Sequence, residues 1–251
     1  MSKRKLILFS PELPNCHCHD RIFKTQYETL TVSVEDEFLA KLSSEPADAA
    51  VICFCSARVE DVEHVLRFNA LTGPIPVLTC TNTLNPEFIR EATQGGVARF
   101  IVCDMDAEKI ADIINSAIRD KELKEYFETL WPGSLQSSYY IRKLIDEIVH
   151  VFPHRMKVSE FAERLGIDRG WLHKLCKQAF GMPLTVILRQ IWVYQALRMM
   201  QYTNLDNTEI ALQLNYSEES SMSRDFRKEL GLSPNEARQE LTKNNTPKFL
   251  G

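Results

Sequence analysis

Short apolar segments alternate with helical patterns along the first half of the chain, and this alternation constrains the fold more than any other feature. The apolar segments have the length and the β-branched content of strands. Strands that alternate with helices form a parallel sheet covered on both faces. We therefore predict an α/β domain. Its five strands are predicted at Lys5–Phe9, Glu28–Val32, Ala49–Phe54, Val77–Thr81 and Arg99–Cys103.

The helices between these strands end at a clear break in the sequence. They are predicted at Val34–Leu42, Val59–Leu71, Pro86–Thr93 and Ala107–Leu123. Pro132 and Gly133 interrupt the helical pattern after the last of them, and Pro and Gly are strong helix breakers. We predict a first domain at residues 1–123, a linker at 124–137, a helical second domain at 138–243 and a flexible tail at 244–251.

Composition and charge narrow the class of protein. Of the 251 residues, 44% are apolar and 25% are charged, which is typical of a globular chain rather than a disordered or fibrous one. No apolar run approaches the roughly 18 residues of a membrane span, and the apolar stretch near the start is too short for a signal peptide. We expect a cytoplasmic protein with reduced cysteines and no membrane partner. After residue 152 the chain has 14 Lys and Arg against 11 Asp and Glu, whereas the preceding part has 16 against 23. Any nucleic-acid contact is therefore expected near the C-terminus.

Six of the seven cysteines fall close to the predicted carboxyl ends of the strands, where open parallel sheets bind ligands. Thiolates with imidazoles suit zinc, copper or an iron–sulfur cluster. The alternative is that the thiols only fill the core, as small apolar side chains do. The candidate metal or redox residues are Cys16, His17, Cys18, His19, Cys53, Cys55, Cys80 and Cys103.

The first domain resembles a response-regulator receiver domain, through the segments Ala47–Ile52, Ile75–Leu78 and Gly95–Ile101. The resemblance implies a flavodoxin-like sheet and a phosphate site at its carboxyl edge. Only Thr81 matches that site, at the family's switch hydroxyl.

The residues that carry phosphoryl chemistry in receivers are replaced. Ser10 and Pro11 stand in place of the acidic pair that holds Mg²⁺, Cys53 in place of the acceptor Asp, and Cys103 in place of the Lys. Without a carboxylate nucleophile or a metal cage, phosphoryl transfer is expected to fail. We predict a pseudo-receiver with no phosphorylation site and no catalytic residue.

Two helix-turn-helix units are predicted in the second domain. In the first, Val158–Leu165 and Arg169–Phe180 flank a turn at Gly166, with Ser159 and Asp168 as helix caps. In the second, a helix starting at Asn207 and a helix at Glu218–Leu230 flank a turn, with Ser217 as the second cap. The second helix of such a unit enters the DNA major groove.

This region resembles the AraC/XylS family of bacterial transcription regulators over about Ser138–Leu241, most clearly through Thr208–Ser217 and Met222–Pro234. Four positions depart from the family pattern. Asn215 replaces the turn glycine, Trp192 replaces an Arg of the connecting helix, and Glu218 and Glu219 stand in usually neutral places.

The resemblance implies two recognition helices in successive major grooves, about one helical turn apart. His173 and Lys174 can donate to guanine, Glu219 can only accept, and Lys177, Arg227 and Lys228 are placed for phosphates. The predicted DNA-binding residues are Arg169, Gly170, His173, Lys174, Lys177, Glu219, Ser220, Ser221, Arg224, Arg227 and Lys228.

The sequence therefore predicts a DNA-binding transcription regulator, not an enzyme, controlled through its pseudo-receiver by metal or thiol redox state. Its expected partners are double-stranded DNA, RNA polymerase and a second copy of the chain. Two alternatives stay open: a phosphorylation-dependent response regulator, and a thiol oxidoreductase.

Overall fold

The computed structural model describes residues 3–11, 23, 26–54, 58–71, 75–83 and 85–243. The predicted tail lies outside the described residues. The chain divides into two compact units, and the division falls between Glu122 and Leu123. Within the described ranges, no helix combines the length and the apolar character needed to cross a membrane.

The first unit contains one parallel sheet of five strands. The strands are β1 (Lys5–Phe9), β2 (Glu28–Val32), β3 (Ala49–Phe54), β4 (Val77–Thr81) and β5 (Arg99–Val102). They are arranged in the order β2-β1-β3-β4-β5, and each neighbouring pair is parallel. This is the flavodoxin-like order, so the predicted α/β class is confirmed. β5 ends one residue earlier than predicted, although Cys103 N still donates to the carbonyl oxygen of Thr81 at 2.9 Å.

Helices cover both faces of this sheet, as its parallel strands require. They are α1 (Glu35–Ser44), α2 (Asp61–Leu71), α3 (Pro86–Gln94) and α4 (Ala107–Leu130). One core contains Phe38, Phe68 and Phe88 from α1, α2 and α3, and the other contains Ile110 and Ile114 from α4. Every residue of the central strand β3 is buried.

Helix α4 is longer than predicted, which corrects the predicted linker. It continues to Leu130, and a short 3₁₀ helix follows at Ser134–Gln136, so much of 124–137 is helical. The physical reason is that Leu123 and Phe127, spaced one turn apart, are both fully buried in the core of the second unit. The helix stops before Pro132 and Gly133, where Gly133 has a φ of 80°.

Up to residue 243, where the described part of the chain ends, the second unit contains helices and no strand, and its buried side chains form one core. Its helices are α5 (Tyr139–Val151), α6 (Val158–Leu165), α7 (Arg169–Phe180), α8 (Leu184–Tyr202), α9 (Asn207–Gln213), α10 (Glu219–Leu230) and α11 (Pro234–Lys243). The longest, α8, lies between the two helix-turn-helix motifs in the chain and packs against α9, α10 and α11. A single cluster of buried side chains runs through all of these helices, so both motifs belong to one rigidly packed unit.

Candidate nucleic-acid interface

The first motif consists of α6, a turn and α7. Gly166 adopts a φ of 67°, which ends α6 in the left-handed conformation that glycine accepts without strain. Asp168 then caps α7, because its Oδ1 accepts from Gly170 N at 2.7 Å and from Trp171 N at 3.2 Å. Leu172 and Cys176 are buried on the inner face of α7. The remaining face of α7 is therefore exposed.

The second motif repeats this plan with α9 and α10. Asp206 and Glu209 form a capping box at the start of α9, with hydrogen bonds of 2.8 and 2.7 Å. Asn215 has a φ of 53° at the turn, the same left-handed region that Gly166 uses in the first motif. Met222 and Phe226 are buried on the inner face of α10. Both predicted helix-turn-helix units are thus confirmed.

Two of the predicted helix caps are wrong. Ser159 lies inside α6, which begins one residue earlier, and Lys157 N donates instead to Glu160 Oε2 at 2.5 Å. Ser217 precedes the capping position of α10, which Glu218 occupies. The Ser217 hydroxyl lies 3.4 Å from the Ser221 hydroxyl. In both cases the predicted cap lay one or two residues from the true helix start.

All of the predicted DNA-binding residues lie on α7 or α10 and are at least partly accessible. Those exposed are Arg169, Gly170, His173, Lys174, Lys177, Ser220, Arg224, Arg227 and Lys228, and those of intermediate exposure are Glu219 and Ser221.

The two exposed helix faces differ in how their polar groups are engaged. Near the start of α10, Glu219 Oε2 accepts from Thr208 Oγ1 at 2.7 Å, and Arg224 donates to Ser221 Oγ at 2.9 Å. The Arg224 guanidinium also lies 3.7 Å from Glu218. On α7, by contrast, neither His173 nor Lys174 has a hydrogen-bond or ion-pair partner within the described part of the chain. The first motif therefore presents donors that are available to a ligand.

Arg155, which the sequence analysis did not single out, lies in the loop before α6 and contacts the second motif. Its guanidinium lies 3.6 Å from the ring centroid of Tyr216 in the second turn and 3.5 Å from Asp225 on α10. It also lies 5.4 Å from the ring of Trp192 on α8, whose Nε1 donates to the carbonyl oxygen of Leu214 at 3.0 Å. No periodic pattern marks a lone Arg in a loop, so the sequence carried no signal for this contact.

A cavity of about 490 Å³ lies beside this contact. Its wall includes Trp192, and its charged lining residues are Arg155, Lys157, Arg169, Arg189 and Asp225. Arg155 is paired with Asp225, and Arg189 forms an ion pair with Glu229. Lys157 and Arg169 have no carboxylate partner among the described residues, so the cavity has an excess of positive charge.

Trp171 is a second residue of the candidate interface that the sequence analysis did not name. It is 41% exposed in the first turn of α7, between the predicted contacts Gly170 and His173. Its ring packs edge-on against Tyr140 with centroids 4.6 Å apart. The sequence did carry a signal for this exposure. Trp171 does not fall on the helical period of the buried residues of α7, which are Leu172, Cys176 and Phe180.

The structure brings part of the predicted cysteine cluster together. Cys53 and Cys80 are register partners on β3 and β4, and both are buried. The Cys80 and Cys103 sulfurs are 3.5 Å apart. No group of three His, Cys, Asp or Glu within the described ranges could hold a metal ion. The other five candidates lie outside the described residues: Cys16, His17, Cys18, His19 and Cys55.

Comparison with known proteins finds a family model that matches most of the second unit. Residues 161–240 match the family model of a helix-turn-helix domain. The transcriptional activator AarP of Providencia stuartii is 28% identical over 81 residues, which are 32% of this chain and 60% of AarP. The chain thus spans less than two thirds of this relative's length.

Two solved structures are similar to one unit each. The C-terminal domain of the response regulator yesN from Fusobacterium nucleatum is 24% identical with a TM-score of 0.39, over 40% of this chain and 99% of that one. A CheY-like receiver domain from Methanospirillum hungatei is 15% identical with a TM-score of 0.43, over 49% of this chain and 99% of that one. The resemblance predicted for the C-terminal half is confirmed: residues 161–240 of this chain form a helix-turn-helix domain that is similar to those of AraC-type regulators.

Proposed function

We propose that the protein is a bacterial, cytoplasmic transcription regulator that binds specific double-stranded DNA through both helix-turn-helix motifs. The observation that carries this proposal is the pair of exposed second helices, α7 and α10, held by one common core. A helix with one exposed face has the size to enter the major groove, and two such helices can read two successive turns of one DNA face.

The side chains of α7 suit base recognition better than those of α10. Lys174 and His173 are exposed donors that can reach the O6 and N7 atoms of guanine. Glu219 is an acceptor already engaged by Thr208, and Arg224 is engaged by Ser221. We therefore assign the more discriminating half-site to the first motif.

Other cations are placed to neutralise phosphates. Lys177, Arg227 and Lys228 are exposed on later turns of the two helices, and Arg169 lines the positively charged cavity. Contacts of this kind set the register on DNA without reading sequence. They support a net attraction to DNA even though the whole chain has a formal charge of −4.

The first unit is assigned the role of a control domain that does not use phosphorylation. At the carboxyl edge of its sheet, Ser10 and Cys53 are buried where a receiver has carboxylates. Thiol oxidation is the input that the structure favours, because Cys80 and Cys103 lie in contact there. A metal input would need the candidate ligands that lie outside the described residues.

Besides DNA, the proposed partners are a second copy of the chain and RNA polymerase.

The proposal is tested by selecting DNA from a random-sequence pool with the full chain and then measuring the affinity for the selected site. We expect a defined sequence to be enriched, and its binding to weaken as the salt concentration rises. A pool that stays random after repeated selection at low salt would contradict the proposal.

The variant Glu240→Gln provides a matched control. Glu240 lies on α11 and belongs to neither of the two second helices, so its removal should leave the selected sequence unchanged. Replacing His173 and Lys174 together by Ala should instead remove the base preference from one half of the enriched sequence. Enrichment of the same sequence by this double variant would show that α7 does not read the site.

A further inference from the structure

Two thiols meet at the carboxyl edge of the sheet in the first unit. Cys80 is the fourth residue of β4, and Cys103 directly follows β5. Their sulfur atoms are 3.5 Å apart, and no disulfide joins them. Cys80 is fully buried, whereas Cys103 is partly exposed. Cys103 is therefore the residue of the pair that a small reagent meets first, whereas Cys80 lies in the core.

The backbone keeps this pair in place. Cys80 is aligned with Ile101 in the parallel register of β4 and β5, so Cys103 is its diagonal neighbour two residues further on. The hydrogen bond from Cys103 N to the Thr81 carbonyl holds Cys103 alongside β4. A disulfide requires a separation of about 2.0 Å. The sulfurs must approach by roughly 1.5 Å, which requires side-chain rotation together with a movement of the backbone at Cys103.

We propose that Cys80 and Cys103 form an oxidisable dithiol and that its oxidant is a hydroperoxide. The proposal deepens the control role assigned to the first unit, and its effect on DNA binding rests on that proposed function. The formation of the disulfide itself does not depend on DNA binding.

The reaction has two balanced steps. The Cys103 thiolate attacks the outer oxygen of the hydroperoxide, the O–O bond breaks, and the alcohol or water that leaves takes up a proton, so that Cys103 becomes a sulfenic acid. The Cys80 sulfur then attacks the Cys103 sulfur, the S–O bond breaks, and the hydroxyl leaves as water with the proton of the Cys80 thiol. The two thiols lose two electrons and two protons in all, and the hydroperoxide is reduced.

The disulfide would act on the start of α4. Met105 and Ala107 pack against the same core as Cys80, and Asp106 caps α4 by accepting from Lys109 N at 2.8 Å. Closing the S–S bond draws the segment between Cys103 and α4 toward β4. We expect this cap to be disturbed and Ile110, the first core residue of α4, to shift.

The test begins with the reduced full chain treated with hydrogen peroxide, blocked with an alkylating reagent and analysed by mass spectrometry. We expect two fewer alkyl groups on the treated chain than on an untreated, alkylated one, and a cross-linked peptide pair containing Cys80 and Cys103. Cys176 serves as an internal control in the second unit, because burial raises the pKa of its thiol to about 12 and should keep it unreactive.

Two variants separate this pair from its neighbours. Cys103→Ser removes the partly exposed thiol and should prevent the disulfide, while circular dichroism checks that the fold is kept. Cys53→Ser removes the register partner of Cys80 and should leave the disulfide unchanged. A disulfide joining Cys53 to Cys80, one involving Cys16, Cys18 or Cys55, or an unchanged number of alkyl groups after excess peroxide would overturn the proposal.

A second measurement compares the DNA affinity of the oxidised and reduced chains. We expect at least a threefold difference that disappears in Cys103→Ser. Equal affinities for the two forms would overturn the regulatory role. A reduced chain that selects no DNA would instead contradict the proposed function. The mass measurement would still show whether the disulfide between Cys80 and Cys103 forms.

Discussion

The side chains of α7 and α10 differ in their freedom to meet a ligand, and this difference decides which substitutions are informative. Lys174 and Lys177 are both exposed on α7, one turn apart in the helix. Sequence patterning predicted the exposed positions of this helix because its buried residues follow a helical period. It did not predict the engagement of Glu219 by Thr208, which depends on how two helices of the second motif pack.

Replacing Lys174 by Ala should weaken binding to the selected site and relax the preference at one base position. The expected cost is about 1–3 kcal/mol if the ammonium contacts a guanine edge. Replacing Lys177 by Ala should weaken binding to all sequences similarly and reduce the salt dependence, since a phosphate contact carries no sequence information. Titration of both variants against the selected site and its single-base variants measures this. Identical base preferences for Lys174→Ala and the wild type would contradict the assignment.

Arg155 contacts the turn of the second motif and α10, and its removal should destabilise the second unit. Arg155→Ala loses the contact with the Tyr216 ring and leaves Asp225 without its ion pair. Because the Arg155 side chain is 39% exposed, we expect a loss of only about 1–2 kcal/mol in the free energy of unfolding. Urea unfolding followed by tryptophan fluorescence reports on this unit, since Trp131, Trp171 and Trp192 all lie within it.

Arg164→Ala is the matched control for Arg155. Arg164 forms an exposed ion pair with Glu147 at 3.2 Å, without an aromatic contact. Such surface pairs contribute little, so we expect a change below about 0.5 kcal/mol. Equal losses for the two arginines would show that Arg155 is an ordinary surface cation.

At the scale of helices and strands, the pattern of apolar residues predicted most element positions well. Four strands have the predicted bounds. The fully buried strands β3 and β4 appear as short apolar runs, whereas the edge strand β2 is only partly buried. The end of α4 was predicted seven residues too early, because the burial of Phe127 depends on the second unit rather than on the helix itself. Helix caps were less predictable, since several polar residues near each start compete for the same backbone N–H groups.

The caps of the first motif provide a direct test of this description. Asp168→Ala should lower the stability of the second unit by about 1 kcal/mol, because α7 loses the acceptor for two backbone N–H groups. Ser159→Ala should change it by less than about 0.5 kcal/mol, since Ser159 is exposed inside α6 and does not cap it. Urea unfolding of both variants distinguishes the cases. A larger loss for Ser159→Ala would contradict the observed helix start.

At the scale of the whole molecule, one unit has the sheet order of a receiver and the other has two helix-turn-helix motifs. The sequence predicted both architectures, because alternating strands and repeated helix-turn-helix spacing are properties of order along the chain. The close approach of Cys80 to Cys103 was predicted only as a shared sheet edge. Which sulfurs meet depends on strand register, which the sequence does not specify at the level of single atoms.

Incubation of the chain with acetyl phosphate and Mg²⁺ should add no phosphoryl group. Asp48 precedes β3 and accepts from Lys5 N at 2.7 Å, which places it at the opposite end of the strands from Cys53. Cys53 is buried and stands in the acceptor position. Intact mass spectrometry gives the result, and a phosphorylated Asp48 or Asp104 would show that the first unit retains receiver chemistry.

The most direct test of the central claim is guanine methylation interference on the selected DNA site with the full chain. If α7 and α10 both occupy major grooves of one DNA face, methylated guanines should block binding in two clusters about 10 base pairs apart. His173→Ala combined with Lys174→Ala should remove one cluster and keep the other. A single cluster with the wild-type chain, or two clusters on opposite faces of the DNA, would contradict the account.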